Sequence, residues 1–381
     1  MGIYAEYIDK SFNWLELEKE RKKQLKRISD IRERAIIVYA GGLNKKADIS
    51  INFEDRIPFQ DQLSNLAGDE IDIILETPGG SAEIAEEFVK MIRNKFSKVG
   101  IIIPGTAKSA GTIMAMSGDE ILMEPSSALG PIDAQMIQNN KRYSAHAFIE
   151  GFNKIKKEIE ETNNLNRAYI PILQNISPAD LQGCENAQDF SKTLVKEWLS
   201  KYKFKYWKTH SSSGKPVTKR QKNARAKKIA GKLCNHGIWL THGRSITMED
   251  LRNLELTIND YSENDKLYDA IRRYYVLLQI TFDTTGIYKV FETPVSQIYK
   301  YESKEKEIKP EKANSVFVEF TCPNCNKISK IQANLQKNIP TQKKTTLFPK
   351  DNIFNCPYCN TRNDLSSLRR QIELQTKKKI L

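Results

Sequence analysis

Ile71-Asp72-Ile73-Ile74-Leu75-Glu76-Thr77-Pro78-Gly79-Gly80-Ser81 is an aliphatic run that stops at a Pro-Gly-Gly turn. The run Ile71–Leu75 has the length and composition of a buried strand, and the turn ends it. After the turn, Ala82–Phe96 repeats apolar residues at Ile84, Phe88 and Ile92, a spacing that predicts a helix. A further aliphatic run, Val99–Ile103, closes at Pro104-Gly105 and leads into Lys108-Ser109-Ala110-Gly111-Thr112. Ala110–Met116 then reads as a helix of small residues and Glu120–Glu124 as another strand. Upstream, Ala35–Tyr39 is a strand stopped by Gly41-Gly42. Strands alternating with helices in short steps predict a parallel sheet with right-handed crossovers, an α/β fold.

The same two turns carry chemistry. Ser109 stands where a strand turns into a helix, a position that exposes a hydroxyl as a nucleophile. The N–H of Ala110 and one from Gly79 or Gly80 would hold an oxyanion, and losing one such donor costs ~100–1000-fold in rate. Glycine suits that place because a side chain would block the substrate carbonyl. The bare Gly79-Gly80 strand could also pair with an extended peptide. The bland reading is that Ser109 is a small residue at a helix–sheet contact and Gly79-Gly80 a tight turn.

With a third block, Leu129-Gly130-Pro131-Ile132-Asp133-Ala134-Gln135, these motifs resemble the serine dehydrogenase proteinase family. That family belongs with the ClpP and SppA serine peptidases on the ClpP/crotonase fold. The resemblance covers residues ~31–160 well. It continues more weakly to Trp239-Leu240-Thr241-His242-Gly243-Arg244-Ser245-Ile246-Thr247. It implies peptide-bond hydrolysis and assembly into homo-oligomers that enclose the sites.

The base is harder to read. ClpP-type relatives place a His ~25 residues after the serine, where this chain has Gly130-Pro131-Ile132-Asp133. SppA-type relatives use a Ser-Lys dyad, and the nearest downstream lysine is Lys141. A lysine acts as a base only where burial lowers its pKa, and Lys141 stands in a polar stretch. His146 is the alternative base and Lys154 a third. Asp133 could orient the base or bind substrate, or simply cap a turn. His242 reads as a structural residue or a lining of the site.

Cys322-Pro323-Asn324-Cys325 and Cys356-Pro357-Tyr358-Cys359 form two C-x-x-C knuckles 30 residues apart. Four thiolates complete a closed tetrahedral site, so Cys322, Cys325, Cys356 and Cys359 are expected to hold a structural Zn2+ in a zinc ribbon with an insertion. Redox pairs or an iron–sulfur site are the alternatives.

The 381 residues carry 60 basic and 47 acidic side chains, net +13. Between Trp198 and Met248 there is no Asp or Glu, only thirteen basic residues interleaved with aromatics such as Tyr202, Phe204, Tyr206 and Trp207. Residues 201–232 are therefore a candidate surface for nucleic acid, or a solvated face that steers acidic polypeptides. No run is long and apolar enough for a membrane span, the N-terminus lacks a signal pattern, and no P-loop is present, which predicts a cytoplasmic protein that hydrolyses no ATP. The expected organisation is an N-terminal helix (1–34), which could also serve as an interface, a ClpP/crotonase-like parallel-sheet domain (35–260), a helical extension and linker (261–313), the zinc ribbon (314–362) and a C-terminal basic helix (363–381). A soluble, ATP-independent serine peptidase is the expected function. A catalytically silent scaffold, binding nucleic acid or a protein through the ribbon and the basic segment, is the other.

Overall fold

The computed structural model describes residues 2–138, 141–210, 213–302, 314–376 and 378–381, without the side chains of 137, 138, 141, 142, 374 and 375. Two compact units divide the chain, Met1–Glu302 and Ser303–Leu381. The expected hinge Lys304–Ala313 lies outside the described residues.

The first unit runs α1 (Ile3–Asp9), α2 (Trp14–Arg32), β1 (Ala35–Gly41), α3 (Arg56–Ser64), β2 (Glu70–Glu76), α4 (Ala82–Lys95), β3 (Lys98–Ile102), β4 (Thr106–Ala107), α5 (Ala110–Ala115), β5 (Glu120–Met123), β6 (Ala128–Leu129), β7 (Gln135–Gln138), β8 (Lys141–Ser144), α6 (Ala145–Thr162), α7 (Ile170–Leu173), α8 (Pro178–Trp198), α9 (Lys219–Leu233), α10 (His236–Trp239), α11 (Met248–Asn253), β9 (Asn259–Asp260), α12 (Asp265–Thr284), β10 (Ile287–Glu292) and β11 (Gln297–Tyr301). Seven strands form one sheet in the order β11-β10-β1-β2-β3-β5-β9. The block β1-β2-β3-β5-β9 is parallel, with Ile37 opposite Ile73 and Ile73 opposite Ile101.

Both faces of this sheet are covered, which is why its strands read as unbroken aliphatic runs. Ile37, Ile73, Leu75 and Ile101 point into a core shared with α4, α5, α8 and α9. Ile36, Val38, Ile74 and Ile102 point the other way, into a core built with α2 and α12. Asp72 also faces that side, fully buried, and is held by Arg32 (2.6 Å) and Arg34 (2.9 Å).

Two parts of the expected organisation differ. The single N-terminal helix expected over 1–34 is two helices, and the second packs into the core. Asn13 caps α2 through Leu15 N–H (2.9 Å) and Glu16 N–H (3.1 Å), breaking it from α1. Leu25 and Ile28 of α2 are fully buried, and Arg21 is fully buried on Glu292 (3.1 Å), Thr281 and Tyr299 (both 2.6 Å). An ion pair this deep persists only because each nitrogen of the guanidinium finds a partner. The stretch read as a helical extension and linker is instead α12 followed by two strands. β10 pairs antiparallel with β1, Val38 opposite Glu292, and so extends the sheet itself. Its residues Val290 and Phe291 are buried on opposite faces, a pattern that a short apolar run shares with a helix.

The second unit holds β12 (Ser315–Thr321), β13 (Ile328–Asn334), β14 (Thr346–Leu347), β15 (Ile353–Asn355), β16 (Arg362–Asp364) and α13 (Ser366–Thr376). β12 and β13 pair antiparallel, β14 joins β13, and β15–β16 form a separate hairpin. Ile331, Ala333, Phe354, Leu365 and Ile372 make its core.

Candidate active site

The parallel strands end at a cleft of about 560 Å3, and the Pro78-Gly79-Gly80 turn forms one wall of it. Thr77 fixes the turn to the strand leading into Ser109: its N–H donates to Thr106 O (2.9 Å), and its C=O accepts from Lys108 N–H (3.0 Å). On the other side Ile51 N–H donates to Gly79 O (2.7 Å), and Ser81 N–H donates to Ile51 O (2.9 Å). In that parallel bridge Gly80 turns its own N–H and C=O away from Ile51. Gly80 has φ 144°, and a Cβ on it would meet Ile51 O at 2.3 Å. Gly79 has φ 110°, and a Cβ there would meet Ser109 Cβ at 2.6 Å. Both glycines are therefore required by close approach as well as by backbone conformation.

Ser109 is the N-cap of α5 with φ 50° and ψ −115°, a strained conformation that lifts its partly exposed side chain off the helix. The strain is held by Gly111 N–H to Lys108 O (2.8 Å) and Ile113 N–H to Ser109 O (3.0 Å). As first residue of α5, Ala110 has an N–H with no intrahelical acceptor. Neither this N–H nor that of Gly80 has a protein acceptor among the described residues, whereas Gly79 N–H reaches Thr77 Oγ1 at 3.2 Å.

Asp133 lines the same cleft and is 3% exposed. Its carboxylate accepts from Ser144 Oγ (2.7 Å) and Gln135 Nε2 (2.8 Å), and it meets His236 Nδ1 at 2.9 Å. A second imidazole, His242, lines the cleft with Ser109, and its Nδ1 stands 3.9 Å from Asp133. That leaves Nε2 on the opposite ring edge. The loop bearing His242 is tied down twice, by Lys108 Nζ to Gly243 O (2.5 Å) and by the paired backbones of Leu129 and Ile246 (2.8 and 2.9 Å).

Ser109, Ala110, Gly79, Gly80 and Asp133 thus share one cleft. His146 does not line it; it lies on α6 with its ring 6.3 Å from that of His236 and its Nδ1 3.9 Å from Glu150. Lys154 is exposed on the same helix. Lys141 has its backbone in β8, and its side chain lies outside the described residues. His242, read from the sequence as a structural residue or a lining of the site, does line the cleft. The signal for it was its place in the block Trp239–Thr247. Of the basic segment 201–232, Arg225 and Lys228 are engaged by Glu255 at 2.8 and 3.5 Å.

Behind the glycine turn, Glu76 is fully buried against α12. It accepts from Thr106 N–H (2.8 Å) and the Tyr275 hydroxyl (3.1 Å). Burial pushes its carboxyl up to about 7, while those two hydrogen bonds pull it down. The folded protein therefore binds this proton more tightly than the unfolded chain does. Its stability falls as pH rises from about 4.5 to about 7 through this group. Glu76→Gln should raise stability by roughly 2–3 kcal/mol near pH 8, with the gain fading toward pH 5. Thermal melts of both proteins across that range check it, and a gain independent of pH would refute it.

In the second unit, Cys322, Cys325, Cys356 and Cys359 bring their sulfurs within 4.8 Å of one another. Two separations, Cys322–Cys359 and Cys325–Cys356, are both 3.7 Å. A tetrahedron with metal–sulfur bonds of ~2.3 Å has edges of about 3.8 Å. The two knuckles are built alike: Asn326 N–H donates to Cys322 O (2.8 Å) and Asn360 N–H to Cys356 O (2.9 Å), each Asn at φ 56°. The donor set fits a tetrahedral thiolate metal.

The sequence profile of the ClpP-like SDH-type serine proteinases matches residues 15–218. Two proteins of Methanocaldococcus jannaschii, the uncharacterized proteins MJ1495 and MJ0137, are 29% and 26% identical over 205 and 204 residues. Each alignment takes in 54% of this chain, so the chain spans 56% and 58% of the length of these curated relatives. Among solved structures, an alanine-substituted 1510-N membrane-bound stomatin-specific protease aligns at 17% identity and TM-score 0.33, covering 57% of this chain and 79% of its own. ClpP1 from Listeria monocytogenes aligns at 12% identity and TM-score 0.30, covering 61% and 89%. No helix among the described residues is long and apolar enough to cross a membrane.

Proposed function

Because the chain belongs to the family of ClpP-like SDH-type serine proteinases, we propose that it is an ATP-independent serine endopeptidase that cleaves extended polypeptide. The observation that carries this reading is the shared cleft of Ser109, Gly79-Gly80, Asp133 and His242. The substrate strand adds to the Gly80 edge, whose N–H and C=O face away from Ile51. Ser109 Oγ attacks the scissile carbonyl and passes its proton to a base. The oxyanion takes hydrogen bonds from Ala110 N–H and Gly80 N–H. Collapse of the intermediate expels the amine, which collects that proton, and water then hydrolyses the acyl-enzyme.

Lys141 or His146 would be the base by the sequence reading. His242 is the base we favour, because it lines the cleft with Ser109 and its Nδ1 stands 3.9 Å from the buried Asp133 carboxylate, whose charge would stabilise a protonated imidazole. The hydrogen bond of that carboxylate goes instead to His236 (2.9 Å), which is not among the residues lining the cleft. Assembly into homo-oligomers rests on the resemblance alone. A fluorophosphonate probe should label the intact protein, and peptide mapping should put the adduct on Ser109. Failure to label, with salt-sensitive binding of single-stranded DNA or RNA in its place, would favour the silent scaffold.

The four cysteines we assign to a structural Zn2+, which has no open position for chemistry. Metal analysis of the purified chain should return about one zinc per chain. Chelation should leave the second unit sensitive to protease. A second unit that stays protease-resistant without metal would remove this assignment.

A further inference from the structure

A second cavity, of about 590 Å3, opens where α8 runs into a π-helical turn, Leu199–Lys203. Such turns widen a helix and recur at functional sites. None of the residues lining this cavity lines the Ser109 cleft. Lys203, Tyr206, Trp207 and His210 contribute from the turn and the loop after it, Arg225 from α9, and Glu255 from beyond α11.

The two cations of the cavity differ. Arg225 is satisfied, 2.8 Å from Glu255 and 5.4 Å from the centre of the Trp207 ring. Lys203 is not. Its amine reaches only the backbone carbonyl of Asp119, at 3.4 Å, and no carboxylate stands within ion-pair distance among the described residues. The Asp119 carboxylate is occupied by Arg93 (2.7 Å) and Val99 N–H (2.9 Å). Burial pulls the Lys203 amine down to about 8, against the upward pull of Glu120 and Asp119. A half-buried cation without a counter-ion carries a cost that a bound anion would relieve. Beside it, Trp207 is fixed edge-on by Phe204 (5.7 Å) and His210 (5.3 Å), and Tyr206 is 57% exposed. Trp207, held this way, offers a ring face for a planar base, with Tyr206 next to it in the chain.

We propose that this cavity binds a nucleoside phosphate, with the phosphate on Lys203 and the base against the Trp207–Tyr206 wall. The volume is in the range of small-molecule sites. The binding does not depend on how, or whether, Ser109 reacts. Because a phosphate favours the charged amine, the complex takes up a proton near pH 8.

Calorimetry of the full chain with AMP, in two buffers of different ionisation heat, reads both affinity and proton uptake. Lys203→Met should weaken AMP at least ~10-fold, the loss of one charge-assisted hydrogen bond, and abolish the uptake. Lys203→Arg should retain most of the binding, which keeps the test open if the methionine variant fails to fold. Trp207→Leu should weaken AMP while leaving proton uptake in place. Inorganic phosphate alone should bind more weakly than AMP. Absence of AMP binding at millimolar concentration, AMP affinity indifferent to Lys203→Met, or phosphate binding as well as AMP would each overturn the proposal. Tight binding of a single-stranded oligonucleotide without binding of AMP would overturn it too.

Discussion

Ser109→Ala and His242→Ala should each lower peptide hydrolysis by about 10,000-fold or more, and the double variant should be no worse than either alone. The reason is that nucleophile and base act as one unit: a serine without a proton acceptor is nearly inert, and a base without the serine has nothing to activate. Both side chains are partly exposed, so neither change should disturb folding much. Melting temperatures close to wild type would separate lost chemistry from lost structure. Asp133→Asn should fall between, because the amide can still accept from Ser144 but no longer stabilises a protonated imidazole. If His242→Ala keeps a tenth or more of the activity that Ser109→Ala loses, the base lies elsewhere, and Lys141 and His146 become the residues to change next.

Gly79→Ala is the second large effect. The new methyl would stand 2.6 Å from Ser109 Cβ and 2.9 Å from Lys108 O, at a φ of 110° that an L side chain rarely adopts. Either the glycine turn or the Ser109 elbow must move. Because Thr77 bonds the two loops together, a shift in one is passed to the other. Activity should drop ~100–1000-fold, the size of losing an oxyanion donor. Folding should weaken by about 1–3 kcal/mol from the strained backbone. Gly68→Ala is the control, since it shares a positive φ (104°) but meets nothing within 4 Å. It should cost stability without touching catalysis. Equal losses of activity in the two variants would mean that the contact with Ser109 is not what matters.

The parts of this molecule that the sequence made legible are those whose signals are local. The strand Ile71–Leu75 ends at its glycines, and the buried register of β2 reads directly as an aliphatic run because helices cover both faces. The turn into a helix at Ser109 was legible because a run of small residues follows it at once. The knuckles announced themselves by spacing, and their sulfurs do converge. What stayed hidden depends on contacts across long separations. Arg21 reads as one more charge on a polar helix, yet it is buried on a glutamate 271 residues away. β10 is bounded by Gly286 and Pro294, but nothing local says that its partner is β1, in antiparallel pairing. His242 sits in a loop without periodicity, beyond the part of the chain matched by the family profile, and only the fold brings it to Asp133.

The bond from Lys108 to Gly243 joins residues 135 positions apart. Lys108, next to Ser109, therefore finds its partner only after most of the first unit has been made. A chain still emerging from the ribosome would carry Ser109 while its partner loop is unsynthesised. The order of residues along the polypeptide thus fixes the loop bearing His242 to the Ser109 turn only late in synthesis.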